Sequence, residues 1–127
     1  MNVKIDTKEK FHVITVMESS LSANMTEELS ECLLPLLQHD VKNVIIKLNE
    51  VQLIDEIIAE TIVKIQQVFY ESNSSFVICE INDPVEKKLD DSNLLEIMNT
   101  TPSESEAWDI VQMEEIEREL MEDDGFI

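Results

Sequence analysis

Side chains able to do chemistry are abundant in one class and scarce in the others. Carboxylates number 28 against nine lysines and arginines, a formal charge of −19. Paired carboxylates serve as general acid and base when their surroundings push their pKa values apart. The pairs here, Asp90–Asp91 and Glu114–Glu115, are adjacent in sequence, so on a helix they point apart and read as solvated charge. His12 and His39 have no Cys or His at metal-ligand spacing. Cys32 and Cys79 stand alone among apolar neighbours and read as buried thiols. The one glycine, Gly125, excludes both kinds of glycine-rich phosphate loop. Lys87–Lys88 is too small a basic pair for a phosphate pocket amid so much negative charge. With no nucleophile–base pair visible, the expectation is a non-enzyme without catalytic residues, metal or cofactor.

The charge balance also excludes partners. A surface this acidic repels phosphate backbones and anionic headgroups, which argues against nucleic-acid binding and direct membrane insertion. A hydrophobic content of 43% is too high for a disordered acidic chain. No apolar run approaches the ~20 residues of a membrane span, and no signal peptide opens the chain. The expectation is a cytoplasmic protein. Its 127 residues suit one domain with a core of its own.

The elements that would position any site follow from periodicity. Asn2–Thr7 and Phe11–Met17 read as a hairpin, the second run being β-branched and aromatic. Glu18–Asn24 is a polar loop holding Ser19, Ser20 and Ser22. Met25–Gln38 carries one helical apolar stripe, and Pro35 within it predicts a kink or an early end. Asn43–Leu48 and Ser75–Ile81 are nearly continuous apolar runs, as expected of central strands. Asp55 offers an N-cap to a helix over Glu56–Ser72. Ile58, Ile62, Ile65 and Phe69 share its core face, and Ala59, Val63 and Tyr70 fall on a second face expected to be exposed. Asp83 is expected to cap a short helix from Pro84 to Asp90. Met98–Thr101 reads as a last short strand, and a helix through Ala107, Trp108 and Val111 follows. Trp108 is expected to pack that helix onto the domain. The alternation implies an α/β fold, a mixed central sheet with flanking helices.

Gln112–Ile127 stands apart, with seven Asp or Glu against one Arg. Met113, Ile116 and Leu120 recur there at helical spacing but are displaced around the axis from Ala107 and Val111. A solvated, frayed helix end, a helix that wraps the domain and a segment that docks elsewhere all fit this pattern.

The run "NVIIKLNEVQLIDEIIAETI", residues 43–62, resembles the central segment of the anti-sigma factor antagonist, or STAS, domains. There a buried strand and short loop lead to Asp-Ser-Ser/Thr-Gly-Leu-Gly at a helix start. The run "SFVICEINDPVEKKLDDSNLLEIMNTTPSESEAW", residues 75–108, is similar to the family's fourth strand, short helix, turn and final helix with its small residue, here Ala107. Ser19, Leu21 and Ser22 fall where the family has Gly-x-Leu/Ile-Asp. The resemblance divides the chain into a STAS-like domain, 1–111, and an acidic helical extension or tail, 112–127.

In the antagonists, the serine after the Asp is phosphorylated by a partner serine kinase that is also the anti-sigma factor, and the added charge breaks the complex. Matched residue by residue, Asp55 is retained. Glu56 takes the phosphorylatable position, Ile57 the next Ser/Thr, Ile58 the Gly, Ala59 the Leu and Glu60 the second Gly. A carboxylate cannot accept a phosphoryl group in this switch. Glu56 is then a good first-turn residue, a permanently charged binding surface, or an imitation of phosphoserine with about half its charge. The resemblance implies a non-catalytic module that binds an anti-sigma or serine-kinase-like protein through Ser22, Asp55, Glu56, Ala59, Glu60, Val63 and Tyr70. The alternative is a structural subunit beside an ABC transporter ATPase. A weak homodimer through Met113, Ile116 and Leu120 is also open, opposed by the like charge around them.

Overall fold

A computed structural model describes residues 1–124. Strands β1 (Val3–Thr7) and β2 (Phe11–Val16) form the expected hairpin. It pairs Val3 with Val16 and Thr7 with His12, and the Lys8 amide donates to the Phe11 carbonyl at 2.8 Å across the turn. The two-residue β3 (Ser20–Leu21) follows, then a 3-10 turn over Ala23–Met25 and helix α1 (Thr26–Leu33). Pro35 ends the α-helix early, as expected, and Leu34–Gln38 continues as a 3-10 turn. Proline has no N–H for the α-helical ladder, and its ring crowds the preceding turn.

The chain then builds β4 (Asn43–Lys47), β5 (Leu53–Ile54) and α2 (Glu56–Glu71). Next come β6 (Phe76–Cys79), α3 (Asp83–Asp91), β7 (Thr100–Thr101) and α4 (Glu104–Asp124). The five-stranded sheet has the order β1-β2-β4-β6-β7. Only β1–β2 is antiparallel; the other three pairings are parallel, so the sheet is mixed.

Alternation along the central strands splits the core in two. Val44, Ile46, Phe76 and Ile78 face Leu29, Leu33, Ile58, Ile62, Ile65, Phe69, Val85 and Leu89, from α1, α2 and α3. Ile45, Val77 and Cys79 face the opposite way with Phe11 and Val13, against Ala107 and Val111 of α4. Both faces are covered, which is why these strands read as unbroken apolar runs. Trp108 packs edge-on to Phe11, ring centres 5.0 Å apart, as expected of a residue fastening the last helix.

Asparagine does the work of glycine at two helix ends. Asn73 and Asn93 take φ of 60° and 61°. At each, the next amide turns back, Ser74 to the Phe69 carbonyl at 2.9 Å and Leu94 to the Leu89 carbonyl at 2.9 Å. Both ends are Schellman turns, where asparagine tolerates the left-handed conformation better than most residues.

Three boundaries depart from expectation. The N-cap of α3 is Asn82 and not Asp83, which is the first helical residue. Asn82 makes no side-chain cap; its amide donates to the carbonyls of Asn49 and Val51 at 2.8 and 3.0 Å, fastening the β4–β5 loop. Strand β6 stops at Cys79 because Glu80 turns to φ 57°. Helix α4 runs unbroken past residue 112, and Gly125–Ile127 of the expected extension lie outside the described residues.

Candidate partner-binding surface at the start of helix α2

The short strands missed in the sequence reading assemble the candidate site. Strand β3 pairs in parallel with β5, Ser20 opposite Leu53 and Leu21 opposite Ile54. The Gln52 amide donates to the Ser19 carbonyl and the Asp55 amide to the Leu21 carbonyl, each at 2.8 Å. The serine-bearing loop is thereby bonded to the residue that starts α2. Ser22 lies at this junction, half-exposed, with its hydroxyl donating to the Asn24 side chain.

Asp55 caps α2 as expected: its Oδ1 accepts the Ile57 amide at 2.8 Å. Removing such a cap typically costs about 1 kcal/mol. Glu56 follows in the first turn, exposed to solvent, where the helix dipole favours negative charge. Glu60 is exposed one turn on. Ser22, Asp55, Glu56 and Glu60 thus share one end of the domain.

The second face expected to be exposed on α2 is not. Ala59 is 1% exposed, inside the core, because a small residue there lets the helix approach its neighbours. Val63 is half-buried against the same core. Tyr70 is half-buried and stands fourteen residues from Glu56, about 21 Å along the axis at 1.5 Å per residue. Its hydroxyl donates to Glu114 Oε1 at 2.9 Å and accepts from Asn99 Nδ2 at 2.6 Å. Burial, then the Glu114 hydrogen bond and charge, push its pKa up to about 12. Gln66, on the same side, bonds the Ile97 carbonyl and the Asn99 amide. This face is spent on holding the C-terminal part of the chain.

The exposed apolar residues at the site are two others. Leu53 is 66% exposed and Ile57 56%, one on each side of Asp55 and Glu56. The signal for Ile57 was present: it belongs to neither apolar stripe of the helix. The combination is two exposed carboxylates with exposed apolar residues on either side of them in the chain, an arrangement suited to contact with a protein. Among the described residues, no group of three or more His, Cys, Asp or Glu could hold a metal ion, and no helix is long and apolar enough to cross a membrane.

Comparison with known proteins bears on this geometry. The family model for the STAS domain matches residues 2–107. A search of curated protein sequences finds no match. Among solved structures, a putative anti-sigma factor antagonist from Thermotoga maritima superposes with a TM-score of 0.73 at 21% identity, over 87% of this chain and 94% of that one. The anti-sigma factor antagonist SpoIIAA, in its unphosphorylated form, gives 0.68 at 16% identity over 87% and 96%. A form of RsbS from Moorella thermoacetica with a serine-to-glutamate substitution gives 0.72 at 19% identity over 88% and 96%. With the family model covering the sheet and all four helix starts, the chain belongs to the STAS domain family.

Proposed function

We propose that this STAS domain is a non-catalytic regulatory module that holds a protein partner of the anti-sigma or serine-kinase-like type at the start of α2. The supporting observation is Glu56, a permanent carboxylate exposed in the first turn between exposed Leu53 and Ile57. Where relatives of the antagonist type change charge by phosphorylation, this position holds a carboxylate that accepts no phosphoryl group in such a switch. The partner therefore meets one surface, and control passes to its abundance, to competition or to modification elsewhere. Asp55 and Glu60 complete the charged rim and Ser22 adds a hydroxyl to it; Leu53 and Ile57 supply the apolar centre in place of Ala59, Val63 and Tyr70.

The test is affinity capture on the immobilised full chain, with identification of retained proteins and phosphosite mapping of the bait. Wild type is compared with Glu56→Arg, Ile57→Asp and the exposed off-site control Gln67→Arg. The expected result is an ATPase of serine-kinase type retained by wild type and the control and lost from the first two. Equal recovery on all four baits refutes this surface. A transporter ATPase in place of the kinase would carry the structural-subunit reading instead.

A further inference from the structure

Helix α4 changes character at Val111. Before it, the inward side is apolar: Ala107 and Val111 are fully buried. Beyond it, the inward positions are polar and specifically bonded. Glu114 accepts from the Tyr70 hydroxyl at 2.9 Å. Arg118, the chain's one arginine, directs Nη2 at Asn43 Oδ1 (3.1 Å), Ser75 Oγ (3.0 Å) and Glu115 Oε1 (2.9 Å). Two hydrogens serve three acceptors, so one contact is shared.

The apolar residues of this stretch lie outside. Met113, Ile116 and Leu120 are 53%, 56% and 59% exposed. At 3.6 residues per turn they fall within about 60° of one another and about half a turn from the inward face. A frayed helix end could roll such a stripe onto the domain. This one cannot, because the Tyr70–Glu114 and Arg118–Asn43 bonds hold the opposite face inward. A groove of about 420 Å³ runs beside Ile116, between α4 and the β1–β2 turn that carries Glu9 and Lys10. The stripe is bordered by exposed Glu106, Asp109, Glu117 and Glu119, and the helix's one cation points away from it.

We propose that the outer face of α4 is a second docking surface, taken by a basic amphipathic helix of a partner protein. The partner's apolar residues, at i, i+3 or i+4 and i+7, would cover Met113, Ile116 and Leu120, and its flanking Lys or Arg would meet the four carboxylates. Helix-on-helix docking of this kind reads such spacing directly, and complementary charge steers it and selects it. A second copy of this chain presents the same carboxylates and is repelled. An anionic membrane is repelled for the same reason.

The probe is a synthetic helical peptide of leucine and lysine, with leucines at that spacing, titrated into the full chain at physiological salt. Controls are a scrambled peptide of identical composition and an ordered peptide with glutamate for lysine. The ordered lysine peptide is expected to bind at least about tenfold tighter than either control. Ile116→Ser with Leu120→Ser, which leaves the charge untouched, weakens it about tenfold, as does Glu117→Lys with Glu119→Lys. All four positions are exposed, so thermal unfolding should match wild type. Glu56→Arg leaves peptide binding unchanged, which separates this surface from the one at the start of α2. The proposal is overturned if the scrambled peptide binds as well, if the serine pair has no effect, or if Glu56→Arg abolishes binding. It is equally overturned if the protein sediments as a dimer that the serine pair makes monomeric.

Discussion

Replacing Asn43 by alanine tests how α4 is held. Asn43 is 5% exposed at the start of β4, and its amide reaches three parts of the molecule. Oδ1 accepts the Ser75 backbone amide at 2.8 Å and Arg118 Nη2 at 3.1 Å, while Nδ2 donates to the Lys10 carbonyl at 2.9 Å. In Asn43→Ala the Ser75 N–H, in a residue 0% exposed, loses its partner, at about 1–3 kcal/mol. Lys10 is exposed, so its carbonyl rehydrates and adds about 0.5 kcal/mol. Arg118 retains Ser75 Oγ and Glu115 and loses a similar amount. The total is about 2–4 kcal/mol, with water in the adjoining 210 Å³ cavity favouring the lower end. Urea unfolding followed by circular dichroism should show the midpoint falling by about 1–2 M at unchanged slope. A cycle with Arg118→Met should give a coupling of about 0.5–1.5 kcal/mol. A loss under about 1 kcal/mol, or no coupling, would refute the claim that this amide fastens α4 to the sheet.

Three further outcomes are expected. Ala59→Leu should cost about 1–3 kcal/mol in the same urea assay, because the site is enclosed; a near-zero effect would return Ala59 to the surface. Asn93→Ala should cost about 1 kcal/mol while Asn93→Gly costs nothing, since the demand at that position is a positive φ; equal effects would contradict it. Burial raises the Glu115 carboxyl, but the Arg118 hydrogen bond, the neighbouring Asn43 amide and the Arg118 and Lys10 charges outweigh that and hold it below its ordinary 4.5. A carboxylate depressed on folding stabilises above its unfolded pKa and ceases to as pH falls through the folded value. The stability gap between wild type and Glu115→Gln should therefore be constant above about pH 5 and close below 4.5; a gap that persists in acid would mean Glu115 acts through packing alone.

Much of the fold was legible because its signals are local. The β-branched runs of β2, β4 and β6, the Asp55 cap and the proline that ends α1 each act through a few neighbouring residues. The candidate site was half legible for the same reason. Asp55 and Glu56 stand at a helix start that spacing alone locates. Strands β3 and β5 were not legible: two residues carry no periodicity, and their ladder forms only because the fold brings positions 20–21 and 53–54 together. Asn82 as the α3 cap escaped notice because its side chain answers to carbonyls more than thirty positions upstream.

The amino-acid sequence by itself determined the class of protein: an acidic α/β domain, with Asp55 and Glu56 at the start of its second helix. Periodicity can say which residues share a side of a helix, but not what lies opposite that side. The tertiary structure decided that Ala59, Val63 and Tyr70 face the rest of the domain and that Leu53 and Ile57 face solvent. It also decided that the apolar stripe of α4 points outward, because Tyr70, Asn43 and Ser75 supply partners for Glu114 and Arg118 on the inner side. Burial of Ala107 and Val111 at its start and hydrogen-bond satisfaction of Glu114 and Arg118 further on together set the rotation of α4 about its axis.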